Sequence, residues 1–353
     1  MDVAKKNNLH CLGIGIQGRS DETDESSEIV DIRLVSRRLE ILPAILRHLF
    51  SLIEFYLKAL LILRNKPVSV IHCNDNIALP LAVVLKYLKS AHLIYDAHEL
   101  ESDKNGQKSY NRLIVRTIEN RLWRFIDHFV TVSEEISEWY FANFGEKKYT
   151  IIYNSPMFSL DNISSNDYFR TKYHIPKNKK IYLYIGKFMP GRGLGELVDF
   201  FSEQQNSKRC LILLGDGQLQ QEIKLDLVKR GTKNIFIHEK VQHEDVVKYA
   251  KSADYGVCLL ENVSLSDYLA LPNKIFEYAF AKLPIIASDF PEIRKFVRDV
   301  DAGMVVSSLR THDTLNVFEA SKFLFNETAL ATYGWNMQEK KLANLYDTKM
   351  VWR

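Results

Sequence analysis

The stretch Leu271–Asp289, with the sequence LPNKIFEYAFAKLPIIASD, constrains the fold more than any other part of the chain. Ile275, Ala279 and Leu283 recur every four residues, and this spacing predicts a helix with one apolar face. Pro272 suits the first turn of that helix, because an N–H at this position would have no helical partner. The stretch therefore predicts a helix that packs one face against a core.

The polar residues of this stretch gather near the start of the predicted helix. Asn273, Lys274 and Glu277 lie off its apolar face. Free N–H groups and the positive end of the helix dipole favour a phosphate at such a start, and a carboxylate one turn further can hold two sugar hydroxyls. Pro284 predicts the end of the helix, and Ile285–Ala287 predicts a buried strand. An open α/β sheet builds nucleotide sites from these parts, although a packed helix with a solvated Glu fits the same residues.

A glycine-rich basic loop follows the apolar run Ile181–Ile185. Its sequence, GKFMPGRG, places Lys187 and Arg192 five positions apart. Glycines allow close backbone approach, and two cations at this spacing can grip a diphosphate. A solvated basic turn is the alternative interpretation.

The whole chain predicts a two-domain α/β protein. Its 353 residues suffice for two domains, and 46% hydrophobic with 26% charged residues fits large cores. A net charge of +3 gives no indication of a nucleic-acid-binding protein. The four cysteines are scattered in or beside apolar runs, so neither a zinc site nor a disulfide framework is indicated. Strand-like and helix-like runs alternate through both halves, which predicts two doubly wound domains with a ligand cleft between them.

Residues 13–18, GIGIQG, spell the G-x-G-x-x-G pattern, but no dinucleotide cofactor is expected. That pattern must open a helix, and the polar, aperiodic run RSDETDE follows it here. Leu9–Ile16 is better interpreted as a plain strand.

Ile41–Leu63 is rich in Leu, Ile and Phe, with basic residues in and around it. Arg47, His48, Glu54 and Lys58 interrupt it too often for a transmembrane helix. A core helix with solvated basic side chains is the favoured interpretation. A basic amphipathic helix on an anionic bilayer stays open as the alternative.

Polar residues also follow the predicted strand Leu93–Asp96. His98 and Glu99 come one residue after it, where open α/β sheets keep their chemistry. Both are therefore candidates for catalytic or acceptor-side roles, and a structural histidine with satisfied hydrogen bonds is the alternative.

These segments together resemble the large group 1 family of retaining glycosyltransferases. The resemblance rests on LPNKIFEYAFAKLPIIASDFPE, GKFMPGRG, GDG and YDAHEL, which occur in the family's order. It implies the GT-B fold, in which two Rossmann-like domains face a central cleft. It also implies domain boundaries at residues 1–156 and 157–332, with the last helix, 333–353, returning to the first domain. By the same resemblance, either the first strand of that fold and its loop are missing from this sequence, or the fold starts differently.

The resemblance also implies roles for single residues. Glu277 would bind the ribose of a nucleotide sugar, Lys187 and Arg192 would bind its diphosphate, and His98 and Glu99 would serve catalysis. The further donor-binding positions that it implies are Gly215, Gly217, Val241, Asn273 and Lys274. Most family members carry another Glu where Leu269 stands here, so the resemblance does not identify the donor sugar.

The function implied is transfer of a sugar from a UDP- or GDP-sugar to a saccharide or lipid-linked saccharide, with retention, in surface polysaccharide synthesis. Cationic side chains would neutralise the charge on the leaving diphosphate, so no metal is expected. A cytoplasmic protein with peripheral inner-membrane contact and no nucleic-acid partner is expected. Two alternatives stay open: a sugar-nucleotide epimerase of the same architecture, and a non-catalytic protein that binds nucleotide sugars.

Overall fold

Parallel strands form the framework of this protein, whose computed structural model describes residues 10–16, 29–38, 41, 43–157, 166–203, 207–310 and 314–346. The end of the GIGIQG pattern and the polar run after it lie outside these residues. Two compact units are present. One comprises the described residues within Met1–Asp96, Thr117–Phe129 and Glu339–Arg353, and the other those within Ala97–Arg116 and Val130–Gln338. The domain boundaries 1–156 and 157–332 stay a prediction.

Strands and helices alternate in the first part of the chain. Its elements are β1 (Gly13–Ile16), β2 (Ile29–Ile32), α1 (Ala44–Leu63), β3 (Val70–Asn74), α2 (Leu79–Lys89), β4 (His92–Ala97), α3 (Ser109–Leu122), β5 (His128–Thr131), α4 (Glu134–Phe144) and β6 (Tyr149–Ile151). β1 pairs in parallel with β2, and β3 pairs in parallel with β4. Strands β3 to β6 follow one another in sequence order across one sheet.

The second part continues the alternation. Its elements are α5 (Tyr168–Tyr173), β7 (Lys180–Ile185), α6 (Leu194–Ser202), β8 (Arg209–Leu214), α7 (Gln220–Arg230), β9 (Ile235–His238), α8 (Val246–Ala250), β10 (Tyr255–Cys258), α9 (Leu265–Leu269), α10 (Asn273–Phe280), β11 (Ile285–Ser288), α11 (Pro291–Val300), β12 (Gly303–Val306), α12 (Thr314–Ala320), α13 (Glu327–Tyr333) and α14 (Trp335–Tyr346). The α/β class predicted from the sequence is confirmed.

One six-stranded parallel sheet organises the second part. Its strand order is β12-β11-β10-β7-β8-β9, and every pair is parallel. The order reverses direction between β7 and β10, which makes this the topological switch point of a doubly wound sheet. Ligands of open α/β sheets bind beyond the carboxyl ends of the strands at such a point. A ligand site is therefore expected at the loops that follow β7 and β10.

A buried tyrosine of α10 bridges the two strands at the switch point. β7 and β10 pair at Tyr182–Tyr255 and Leu183–Gly256, and the carboxyl-terminal residues of the two strands are not paired with each other. The hydroxyl of Tyr278 lies 2.9 Å from the carbonyl oxygen of Leu183 and 3.1 Å from that of Val257, and accepts the N–H of Ile185 at 2.9 Å. A Cβ on Gly256 would lie 2.5 Å from the Tyr278 ring, so only glycine allows this approach. The tyrosine thus fixes α10 over the point where the strands diverge.

The boundaries of two predicted segments differ from the structure. The predicted loop Ser264–Leu271 contains α9, because the Ser264 hydroxyl accepts the N–H of Asp267 at 3.1 Å. This Ser-x-x-Asp spacing is a helix-start signal that the sequence interpretation missed. Pro272 is the N-cap of α10 and does not lie in its first turn. The helix ends at Phe280, before Pro284, because Lys282 has a positive φ of 57°.

We expect Tyr278→Phe to lower the free energy of unfolding by about 1–3 kcal/mol, because it leaves buried backbone groups without their partner. Urea unfolding followed by circular dichroism measures this change. Tyr110→Phe on α3 is the control, since Tyr110 is exposed and its change should stay within about 0.5 kcal/mol. Equal stability of both variants would contradict the bridging role.

Candidate functional site

Two glycine turns touch beyond the carboxyl ends of β7 and β8. The N–H of Phe188 donates to the carbonyl oxygen of Asp216 at 2.7 Å, and Gly215 has a φ of +149°. A Cβ on Gly215 would lie 1.9 Å from the carbonyl oxygen of Gly186, and one on Gly217 would lie 2.4 Å from that of Phe188. The predicted positions Gly215 and Gly217 therefore shape the loop that carries the basic residues.

Lys187 lies near the start of this loop, and its ammonium forms an ion pair with Asp216. Its ammonium donates to Asp216 Oδ1 at 2.5 Å, and Lys240 lies 3.4 Å from Asp216 Oδ2. The hydrogen bond from Lys187, with help from Lys240, lowers the pKa of the Asp216 carboxyl. The side chain of Lys187 is largely exposed, so a stronger anion can draw it away from Asp216 at small cost.

Arg192 at the other end of the loop is paired as well. Its guanidinium lies 3.2 Å from Oδ1 of Asp267, a residue of α9. Oδ2 of the same carboxylate accepts the hydroxyl of Ser264 at 2.9 Å. Both cations predicted to bind a diphosphate thus have a carboxylate partner in this structure.

Lys274 is the buried cation of the site. Its residue is only 9% exposed, and its ammonium has no hydrogen-bond partner among the described residues. The ammonium lies 3.9 Å from the ring centroid of Tyr184 and 3.4 Å from the position that a Cβ on Gly186 would occupy. A buried charge without hydrogen bonds is costly, so this arrangement favours an anion beside Gly186.

Glu277 lies one turn further along α10 and is also buried, with 5% of its surface exposed. The interpretation of Glu277 as a solvated residue of a packed helix is therefore wrong. Burial raises the pKa of its carboxyl, while the nearby His243 and Lys274 oppose that rise. His243 Nδ1 lies 3.7 Å from Glu277 Oε1. No local pattern in the sequence pointed to His243, because it begins a short 3-10 helix after β9, far from Glu277 in the chain.

His98 and Glu99 are exposed beyond β4, and hydrogen bonds tie the segment that follows them to α9. The N–H of Leu100 donates to the hydroxyl of Ser266 at 3.1 Å, and the N–H of Ser266 donates to the carbonyl oxygen of Asp103 at 3.1 Å. Ser266 adjoins Asp267, the partner of Arg192. The structure therefore joins the segment after His98 and the basic loop through α9.

A second hydrogen bond joins the same segments. The amide of Asn105 donates to the carbonyl oxygen of Pro190, within the basic loop, at 3.1 Å. Glu99 itself lies 3.4 Å from the ammonium of Lys104. The loops after β4 and β7 are thus held in a fixed arrangement.

The two remaining predicted positions lie at the edges of this arrangement. Asn273 is the first residue of α10, and Val241 is half-buried after β9, packed against the core beneath the sheet. The role of Val241 in holding a base stays a prediction. Among the residues that the structure describes, no three His, Cys, Asp or Glu side chains could hold a metal ion.

Two family models match the chain. Residues 165–316 match the model described as glycosyl transferases group 1, and residues 14–155 match the model described as glycosyltransferase family 4. The two matched regions contain all the predicted site residues.

Curated relatives carry one common name. The chitobiosyldiphosphodolichol beta-mannosyltransferase of Kluyveromyces lactis is 26% identical over 311 residues, which are 78% of this chain and 65% of the relative. The Candida albicans protein of that name is 24% identical over 263 residues, which are 69% of this chain and 57% of the relative. The chain thus spans less than two thirds of the length of either relative.

Solved structures share the fold at low identity. Sucrose-phosphate synthase from Thermosynechococcus elongatus aligns with a TM-score of 0.76 at 16% identity, covering 99% of this chain and 92% of that chain. Anabaena HepE in complex with UDP aligns with a TM-score of 0.58 at 16% identity, covering 84% and 79%. Together with the family matches, these likenesses confirm the predicted fold and family. The chain belongs to the group 1 glycosyltransferases and has their α/β fold of parallel sheets.

Proposed function

We propose that this protein transfers a sugar from a nucleotide-diphosphate sugar to a saccharide or lipid-linked saccharide acceptor. The single observation that carries the proposal is the Lys274 ammonium, which is buried without a hydrogen-bond partner among the described residues, beside Gly186. A diphosphate seated there would satisfy this charge. The family match and the place of the site beyond the switch-point strands support the same assignment.

Charge stabilisation would be the main chemical contribution of the donor site. Negative charge grows on the diphosphate as the bond to the sugar breaks, and fixed cations lower the energy of that transition state. Lys274 is held in place by burial against Tyr184, so it needs no rearrangement to act. Lys187 and Arg192 would join it after leaving Asp216 and Asp267. With three cations at the leaving group, we propose that transfer requires no metal.

The ribose would be bound by Glu277. Its carboxylate lies one helical turn beyond Lys274, so a nucleotide with its diphosphate at Lys274 brings the ribose hydroxyls within reach. Hydrogen bonds from those hydroxyls would compensate the burial of the carboxylate. The base is proposed to be uracil or guanine. UDP is the nucleotide bound in the HepE complex.

The acceptor side is proposed from the curated relatives and from the loop after β4. The relatives' name describes a mannosyl acceptor in which chitobiose is linked to diphosphodolichol, which supports a lipid-linked saccharide. His98 and Glu99 would act on the acceptor. Retention of configuration stays a prediction from the family resemblance. Since the relatives are named for a beta-linked product, the anomeric configuration should be measured on the product by NMR.

Incubation with a panel of nucleotide sugars separates this proposal from its alternatives. Release of a nucleoside diphosphate with a glycosylated acceptor supports transfer. Conversion of one nucleotide sugar to another supports an epimerase, and tight binding without turnover supports a non-catalytic protein. An epimerase would have to use Asp267 or Tyr268 on the donor-sugar side, and Asp267 is engaged with Arg192 and Ser264.

We expect Lys274→Met to weaken binding of UDP or GDP and of inorganic diphosphate by about 1.5–3 kcal/mol, because a charged hydrogen-bond donor is lost. Isothermal titration calorimetry measures the affinities. Methionine keeps most of the packing on Tyr184, so the unfolding free energy should not fall. Lys224→Met, an exposed change on α7, is the matched control. Unchanged diphosphate affinity in Lys274→Met would contradict the phosphate site.

We expect Glu277→Gln to raise the Tm near pH 7 and to weaken nucleotide binding. Burial raises the pKa of Glu277, so its ionised form destabilises the folded state as the pH rises from the ordinary Glu value through the raised value. The gain in Tm should shrink near pH 4, where the wild-type carboxyl is protonated in both states. Calorimetry at both pH values checks this, with exposed Glu222→Gln as control. A pH-independent difference would argue against a buried ionised carboxylate.

We expect His98→Ala to lower transfer by roughly a hundredfold or more, as for loss of a general acid or base, while donor affinity stays near the wild-type value. Single-turnover transfer to a water-soluble acceptor and calorimetric donor binding measure the two effects separately. His48→Ala, an exposed change on α1, is the control. Normal turnover in His98→Ala would exclude a catalytic role.

A further inference from the structure

Helix α1 exposes a continuous apolar stripe. The stripe consists of Ile45, Leu49, Ile53, Leu57 and Leu61, which repeat every four residues and are each between 45% and 80% exposed. At the helical rise, it is about 24 Å long. The neighbouring side chains Leu46 and Phe50 are exposed beside it and widen the surface. Isolated exposed apolar residues are ordinary, but an aligned row of this length marks an interaction surface.

The opposite face of α1 already supplies the packing that a core helix needs. Ser51, Phe55 and Ala59 are buried there, and Phe55 and Ala59 pack with Ile32 of β2. The helix is thus apolar on two opposite faces, and only one of them is covered within the described residues. The interpretation of Ile41–Leu63 as a core helix with only basic side chains outside is therefore wrong for the exposed face.

Among the described residues, the exposed charged side chains next to the two ends of α1 are cationic. Arg37 and Arg38 are exposed just before α1, and Arg64 and Lys66 are exposed just after it. The ammonium of Lys89 donates to the carbonyl oxygens of both Arg64 and Lys66, at 2.8 and 3.0 Å, which adds a cation at this end.

The acidic side chain of α1 does not offset these cations. The carboxylate of Glu54 accepts the N–H groups of Val35 and Ser36 at 3.0 and 2.8 Å, and pairs with Lys58 at 2.6 Å. No acidic side chain lies on the stripe itself. The stripe is therefore an apolar surface with cations at both ends.

We propose that the α1 stripe lies in the surface of an anionic lipid bilayer. An apolar face enters the boundary between headgroups and acyl chains, and flanking cations bind anionic headgroups. The opposite face of α1 packs on β2, so the stripe would lie along the membrane surface. No helix among the described residues is long and apolar enough to span a membrane. A second copy of the chain fits less well, because pairing two such stripes would bring like charges together at their ends.

The surface continues past the end of the helix. An open depression of about 350 Å³ is lined by Lys58, Leu61 and Ile62 of α1, by Val30, Asp31 and Ile32 of β2, and by Arg33, which follows β2. Leu61 belongs both to the stripe and to this depression. The depression therefore extends the stripe sideways. It adds Arg33 and the Glu54-paired Lys58 to the proposed lipid-facing surface, together with one acidic side chain, Asp31.

Sedimentation with vesicles tests the proposal without any donor or acceptor, so its outcome is independent of the proposed function. We expect the protein to sediment with vesicles of phosphatidylcholine and phosphatidylglycerol, and much less with phosphatidylcholine alone or in high salt. The double variant Leu49→Gln with Leu57→Gln should lose at least tenfold in partition coefficient. Leu225→Gln with Val228→Gln, which replaces an exposed apolar pair on α7, should keep wild-type binding.

A second double variant tests how much the cationic side chains contribute to vesicle binding. Arg64→Gln with Lys66→Gln should reduce binding to the anionic vesicles and weaken its salt dependence. Wild-type partitioning of the Leu49 and Leu57 double variant would overturn the proposal. So would a wild-type dimer in analytical ultracentrifugation that this variant converts to monomer, because the stripe would then bind a second copy.

Discussion

The hydrogen bonds of the Tyr278 hydroxyl, at the switch point of the six-stranded sheet, are the interaction on which the proposed donor site depends. β7 and β10 must separate there for a ligand to approach, and separation leaves buried backbone groups without partners. The tyrosine replaces the missing strand pairing with its own hydrogen bonds. Because Tyr278 adjoins Glu277 and lies one turn beyond Lys274, the same bonds set the position of both charged side chains. Helix α10 therefore carries both the residue that bridges the strands and the two charged residues of the proposed site.

Lys274 and Glu277 show how a binding site departs from the rules for a stable core. Each is buried, and neither forms a close ion pair with the other. A chain selected for stability alone would place apolar residues at both positions. Their burial lowers the local dielectric, which would strengthen their interactions with a bound nucleotide. The proposed ligand would offset this cost in folding free energy.

The sequence predicted much of this arrangement. Local patterns can be recognised in the order of residues alone. The alternation of strands and helices, the glycine turns and helix α10 are patterns of this kind. The burial of Lys274 could not be predicted, because the Tyr184 ring that covers its ammonium belongs to a distant strand. The pairing of Arg192 with Asp267 depends on α9, a short helix within a segment that was predicted as a loop. For α1, the sequence predicted an apolar helix with basic residues, but not which of its faces the fold would cover.

The carboxylates beside Lys187 and Arg192 give the basic loop a further property. Asp216 and Asp267 act as internal counterions, so the resting loop offers little net positive field to its surroundings. A simple polyanion would have to break one pair for every cation it recruits, and it would gain nothing at Glu277. A nucleotide donor also carries ribose hydroxyl groups. Their hydrogen bonds to Glu277 would compensate for the ion pairs that its diphosphate breaks. We therefore expect the paired loop to bind inorganic phosphate and nucleic acid less well than a donor nucleotide, without any steric barrier.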